Sequence, residues 1–199
     1  MNTNTNMKRR AIRTRTDLED ELQEVILGLV DELVVERSAA KVEIHPLGPM
    51  TNFHIHVAPI DMRRVIGGKG AVIRGLTNLV RLIGRRYKQR FDLKLIDPPI
   101  QARDSDQKFV GQHNWNQSHV RALAQRLADL IFTGAVVEII DGENFDSALE
   151  FQVPETTKQE IIALVSPDLT ALFDAIGKPN GRHIIVAVST PEETLTPSF

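Results

Sequence analysis

Apolar residues recur at the same spacing twice in this chain, 98 positions apart. Leu22, Val25, Leu29, Leu33 and Val34 are answered by Val120, Leu123, Leu127, Ile131 and Phe132. Val137-Glu138-Ile139 echoes Val42-Glu43-Ile44, and the nine-residue step from Val57 to Ile66 recurs from Val153 to Ile162. A repeat of this length is the mark of one supersecondary unit used twice. The chain must therefore fold as two copies of whatever one copy can form. Its 199 residues, 42% of them hydrophobic, suffice for one sizeable core or two small ones.

Within the first copy, helical and strand periods alternate. Thr16-x-x-Glu19 has the form of a capping box and predicts a helix start at Thr16. Val42, Ile44 and Leu47 predict a strand ending near Pro46, and Leu47-Gly48-Pro49-Met50 reads as a turn. Phe53, Ile55 and Val57 alternate with His54 and His56, the period of a strand with one buried face. Asp61 can cap a short helix that Gly67 stops. A further helix follows Gly70, with Val72, Ile73, Leu76, Leu79, Val80 and Ile83 as its apolar stripe. Phe91, Leu93 and Leu95 close the copy as a third strand. The second copy shows a strand around Val137, another through Leu149, Phe151 and Val153, a helix stripe at Leu169, Leu172, Phe173 and Ile176, and a strand from His183 to Val188. The expected fold class is α+β: two tandem α-β-β-α-α-β units, each a three-stranded sheet packed against three helices. The expected boundaries are a disordered basic arm over 1–15, the first unit over 16–97, a linker over 98–115, the second unit over 116–189 and a flexible tail over 190–199.

One stretch breaks a helical pattern and resumes it at once. Asp61 to Leu76, DMRRVIGGKGAVIRGL, holds four glycines, three of them in the window Gly67-Gly68-Lys69-Gly70. Each glycine costs a helix about 1 kcal/mol relative to alanine. The matching place in the second copy, Ala163 to Leu169, has no glycine and reads as a helix start at Ser166-Pro167-Asp168. If glycine served only to join two helices, the second copy should need it too. The absence of a Cβ lets another backbone come close, free N–H groups at a helix start favour an anion, and Lys69 adds a positive charge. A sugar-phosphate backbone fits such a place.

The stretch VIGGKGAVI, Val65 to Ile73, resembles the signature V-I-G-x-x-G-x-x-I of K-homology (KH) domains, whose GxxG loop clamps four backbone nucleotides. A helix and strands preceding the helix–GxxG–helix core are similar to the type II arrangement usual in bacteria. VAPIDMRRVIGGKG in particular resembles the small bacterial RNA-binding proteins of the KhpA type, and the resemblance covers about residues 17–97. It implies that Gly67, Gly68, Lys69 and Gly70 contact the nucleic-acid backbone, and that Val65, Ile66 and Ile73 support or line the groove. Those small proteins end after one KH domain, whereas this chain adds a degenerate second copy without GxxG. Other phosphate loops fit badly. A Walker A loop would need glycine where Arg63 stands and Ser or Thr where Gly70 stands. A dinucleotide fingerprint follows a strand, and this loop follows a helix.

The charge distribution agrees with this reading. The net charge of −2 and pI near 6.3 hide an asymmetry. Residues 1–100 hold 17 Lys and Arg against 12 Asp and Glu, and residues 101–199 hold 7 against 14. No acid lies between Arg63 and Arg90, so a face with Arg74, Arg81, Arg85 and Lys88, led in by Arg63 and Arg64, favours phosphate over an ordinary solvated role. The arm, with Lys8, Arg9, Arg10, Arg13 and Arg15, either adds non-specific affinity or keeps the chain soluble. His54 and His56 share a strand face with His45 near. No third ligand stands at convincing spacing, so exposed histidines are preferred to a metal site. Trp115 stacks on a base or pins the linker to a domain.

The residues expected at the nucleic-acid site are Arg63, Arg64, Ile66, Gly67, Gly68, Lys69, Gly70, Ile73 and Arg74, with no catalytic group, no metal and no cofactor. The expected partner is single-stranded RNA or single-stranded DNA, and the expected role that of an RNA chaperone or post-transcriptional regulator. The alternative is a protein-interaction or scaffold module, using the copies for self-association or partner binding. The lack of cysteine and of any apolar run near 20 residues fits a cytoplasmic protein without a membrane partner.

Overall fold

The structure, a computed structural model, describes residues 14–97, 116–141 and 146–190. The arm residues 1–13, the linker with Trp115 and the tail from residue 191 lie outside the described residues. Helix α1 (Arg15–Leu33) is capped by Thr14, two residues before the Thr16 cap that the sequence predicts. The Thr14 hydroxyl accepts from the Asp17 amide, and the Asp17 carboxylate accepts from the Thr14 amide, so the capping box is Thr14–Asp17. Glu19 is unavailable for capping. Its buried carboxylate takes Arg15 Nε at 2.7 Å and the hydroxyl of Thr51 in the sheet. Arg15 thus belongs to the helix rather than the arm.

Strands β1 (Lys41–Leu47) and β2 (Met50–His56) form an antiparallel hairpin, and β3 (Arg90–Leu95) lies parallel to β2. A parallel pair needs a crossover. Here it is α2 (Met62–Ile66), a glycine turn and α3 (Ala71–Arg86). Thr51, Phe53 and Ile55 point into the core, and Asn52, His54 and His56 to the other face. In the second unit, α4 (Gln117–Ile131) precedes β4 (Val136–Asp141) and β5 (Asp146–Gln152), and α5 (Gln159–Gly177) precedes β6 (His183–Ser189). Again β4 and β5 are antiparallel and β5 and β6 parallel. The sequence repeat is a repeat of sheet topology.

The second unit departs from expectation in its crossover. No helix starts at Ser166; α5 runs 19 residues through Ser166, Pro167 and Asp168 without a turn. The unit is α-β-β-α-β, with two helices instead of three. The backbone explains this. The turn of the first unit puts Gly67, Lys69 and Gly70 at φ of 71°, 53° and 76°. Left-handed backbone of this kind is cheap for glycine and costly for most other residues. Residues 163–169 contain none, so the chain continues as helix. Pro167 costs α5 one hydrogen bond. Ile162, Val165, Leu169, Leu172, Phe173 and Ile176 nevertheless keep one unbroken buried stripe across it.

The helical faces of the two units meet. α3 packs on α5 and α1 on α4, and the buried residues of both units form a single apolar cluster. Close approach is helped by Gly75, where a Cβ would lie 3.2 Å from the Asp168 carbonyl oxygen. Arg86, at the end of α3, donates to the carbonyls of Asp129 and Leu130 and to the Thr133 hydroxyl, closing the C-terminus of α4. Arg126 pairs with Glu24 at 2.7 Å. The two expected units therefore have separate sheets and a shared interior.

Candidate nucleic-acid interface

The glycine turn is built by four residues with different duties. Gly67 ends α2, its amide bonded to the Arg63 carbonyl at 3.0 Å. A Cβ here would sit 2.3 Å from Val72 Cγ2, so position 67 tolerates no side chain. Lys69 takes a left-handed backbone, and its carbonyl accepts from Arg74 Nη1 at 2.7 Å. Gly70, also left-handed, leads into α3 with its amide on the Gly67 carbonyl. Gly68 differs from the others. Its φ is not positive, and a Cβ would meet nothing within 4 Å. The fold does not need glycine at this position. The amides of Gly68 and Lys69 have no hydrogen-bond partner among the described residues, and both residues are exposed. Two free donors at an open tip suit an outside acceptor.

Beside the turn lies a cleft of about 530 Å³. Leu33, Arg63, Arg64, Gly67, Gly68, Ala71 and Val72 form one wall; Ala171, Asp174, Ala175, Lys178 and Pro179 of the second unit form the other. Four of the residues expected at the site, Arg63, Arg64, Gly67 and Gly68, are thus brought together on one cleft. Lys69 stands exposed at the tip, and Ile66 shows 37% of its surface. Ile73 is half-buried against the core and supports the turn instead of lining the cleft.

The cations are less free than the sequence implies. Asp61 is fully buried and accepts from the amides of Val35 and Glu36, which ties the segment after α1 to the start of α2. It makes no side-chain cap to α2, contrary to expectation. Arg64 Nε lies 3.8 Å from its Oδ1 and offsets this buried charge. Arg74 is held by the Lys69 carbonyl, and Arg81 pairs with Asp92 at 3.0 Å. The expected basic stripe is therefore broken. Arg63 and Lys69 have no ionic partner among the described residues, and Arg85 and Lys88 lie exposed further along.

On the outer face of the first sheet the three histidines expected to lie together gather around Glu43, a residue not among those expected there. Glu43 accepts from Lys41 Nζ at 2.7 Å and lies 3.3 Å from His45 Nε2 and 3.1 Å from His56 Nε2. The Lys41 hydrogen bond, then that of His45, hold its carboxyl down to about 2. His45 and His54 stack with ring centroids 4.0 Å apart. Partial burial, then the charge of His45, push the His54 imidazole below its ordinary value. The hairpin register places Glu43 opposite His54, and that register could be counted from the turn at Gly48. Among the described residues, no group of three or more His, Cys, Asp or Glu could hold a metal ion.

The sequence matches no protein-family model and no curated protein. No helix among the described residues is long and apolar enough to cross a membrane.

Proposed function

We propose that this chain binds single-stranded RNA through a KH-type site at Gly67–Gly70. The observation that carries the reading is that the amides of Gly68 and Lys69 have no partner among the described residues, the first of them on a glycine the fold does not require. A phosphate oxygen accepts from those amides, while Arg63 and Lys69 supply positive charge. Ile66 offers an apolar surface to a sugar or base next to the turn. The α-β-β-α-α-β order of the first unit, with β2 parallel to β3, supports the type II KH assignment. The second unit is a degenerate copy that braces the first through the shared core. On this reading the chain is a cytoplasmic, non-enzymatic RNA chaperone or post-transcriptional regulator.

The test is the double substitution Gly68→Asp with Lys69→Asp. It sets two carboxylates where phosphate would rest. Both positions tolerate it: Gly68 faces open space, and aspartate accepts left-handed backbone better than lysine does. Affinity for a labelled single-stranded RNA should fall about tenfold or more, and the native protein should lose affinity as salt rises. Parallel titration with single-stranded DNA reports sugar preference. A folded variant with undiminished affinity refutes the site.

One observation favours a second reading. Ile140, Ala148 and Ile185 lie side by side across β4, β5 and β6, with Ile140 and Ile185 52% and 55% exposed. An apolar row on the outer sheet face fits a protein contact or self-association through the second unit. Sedimentation of the intact chain should then show a species larger than the monomer, which Ile140→Lys with Ile185→Lys abolishes. A monomer at all concentrations, together with no partner lost on substitution, refutes it.

A further inference from the structure

The cleft beside the glycine turn has two walls, and only one belongs to the unit that carries the turn. The other is the end of α5 and the short 3-10 turn Lys178–Asn180 that follows it. It brings Lys178, one of only seven Lys and Arg in the acidic half from residue 101, to the same space as Gly67, Gly68 and Arg63. Lys178 Nζ is 2.6 Å from Asp174 Oδ2, one helical turn back, and its side chain is 71% exposed. Asp174 is mostly buried, with its Oδ1 3.5 Å from His183 Nδ1 on β6. Burial holds the acid in place, whereas the lysine side chain reaches into solvent.

We infer that Lys178 is a phosphate-binding residue of the nucleic-acid site, supplied by the second unit, and that Asp174 restrains it. This rests on the reading of Gly67–Gly70 as a phosphate-binding turn. Only the lysine end of this i, i+4 pair is exposed, and a phosphate in the cleft can draw that ammonium from the carboxylate. The exchange leaves Asp174 facing His183 and puts a third cation, with Arg63 and Lys69, around the bound backbone. The degenerate copy then contributes to the interface despite its negative charge. Asp174 also lowers affinity twice, by holding Lys178 and by repelling phosphate across the cleft.

The experiment titrates the intact protein into a fluorescein-labelled single-stranded RNA of mixed sequence, read by anisotropy at several salt concentrations. Lys178→Ala should weaken binding about three- to tenfold and reduce the slope of log affinity against log salt by about 0.7, the loss of one phosphate contact. Lys178→Arg should restore both. Asp174→Asn should tighten binding, and much of that gain should vanish in the double variant with Lys178→Ala. Circular dichroism confirms that each variant is folded, as the exposure of Lys178 leads one to expect. If Lys178→Ala keeps the native affinity and slope while Gly68→Asp with Lys69→Asp loses binding, the inference is overturned and the turn stands. If neither change matters, the turn itself is not the site. A weaker Lys178→Ala with an unchanged salt slope also overturns the inference, because the contact is then not to phosphate.

Discussion

The two crossovers of this protein connect equivalent strands by different means. In the first unit, β2 reaches β3 through α2, a left-handed glycine turn and α3; in the second, β5 reaches β6 through the single helix α5. Both pairs of strands end up parallel in the same sheet order. The turn is therefore not a topological necessity. It interrupts a helix, needs three residues at positive φ and leaves two amides without partners among the described residues. Backbone strain of this kind clusters at functional sites, which is the ground for proposing one at this turn.

This comparison breaks most directly at Gly67. Gly67→Val forces a branched side chain onto left-handed backbone and into Val72, and should cost about 2–4 kcal/mol in denaturant unfolding. Gly68→Ala, one residue on, should cost less than about 0.5 kcal/mol because nothing lies near its Cβ. Equal costs at both positions would mean that the turn is a structural device throughout. The opposite crossover is sharpened by Pro167→Ala. Restoring the missing N–H to the interior of α5 should stabilise the protein by about 1 kcal/mol or more. A loss of stability would show that the proline is needed to bend or position α5 against α3.

A smaller effect is expected at the junction of the two units. Burial raises the Asp168 carboxyl above its ordinary value, and the Asn78 hydrogen bond only partly offsets this. A raised folded-state value means that folding favours the protonated acid, so this contribution is lost as pH rises through it. Asp168→Asn should accordingly raise the melting temperature at pH 7, with the gain disappearing below the ordinary carboxyl value of 3.8. The smallest effect concerns His54, whose lowered value favours the neutral ring in the fold. Its stabilising contribution is present above pH 6.5 and is lost as pH falls below it. His54→Asn should flatten the decline in stability as pH falls below 6.5.

Much of this arrangement is legible in the sequence because burial imposes a period. Phe53 and Ile55 reveal β2, and Val72, Leu76, Leu79, Val80 and Ile83 reveal α3, each through the core-facing spacing of its element. Competition among local partners hides the rest. Thr14 and Thr16 both suit an N-cap, and the decision falls to Thr14 because Glu19 is claimed by Arg15 and Thr51, a contact between residues 32 apart. Ser166-Pro167-Asp168 has the chemistry of a helix start, yet the buried stripe from Ile162 to Ile176 carries α5 through it. The second wall of the cleft leaves no local signal. Lys178 and Gly68 face one cleft only because α3 and α5 pack together, and no spacing within either unit encodes that.

The central claim is that the amides of Gly68 and Lys69 receive a phosphate from outside the protein. Amide chemical shifts of the intact chain, followed during titration with single-stranded RNA, report on this directly. The account expects the largest shifts at Gly68 and Lys69, their reversal as salt is raised, and none in the Gly68→Asp, Lys69→Asp variant. Shifts confined to other surfaces, with these two amides unmoved at saturating RNA, would contradict it.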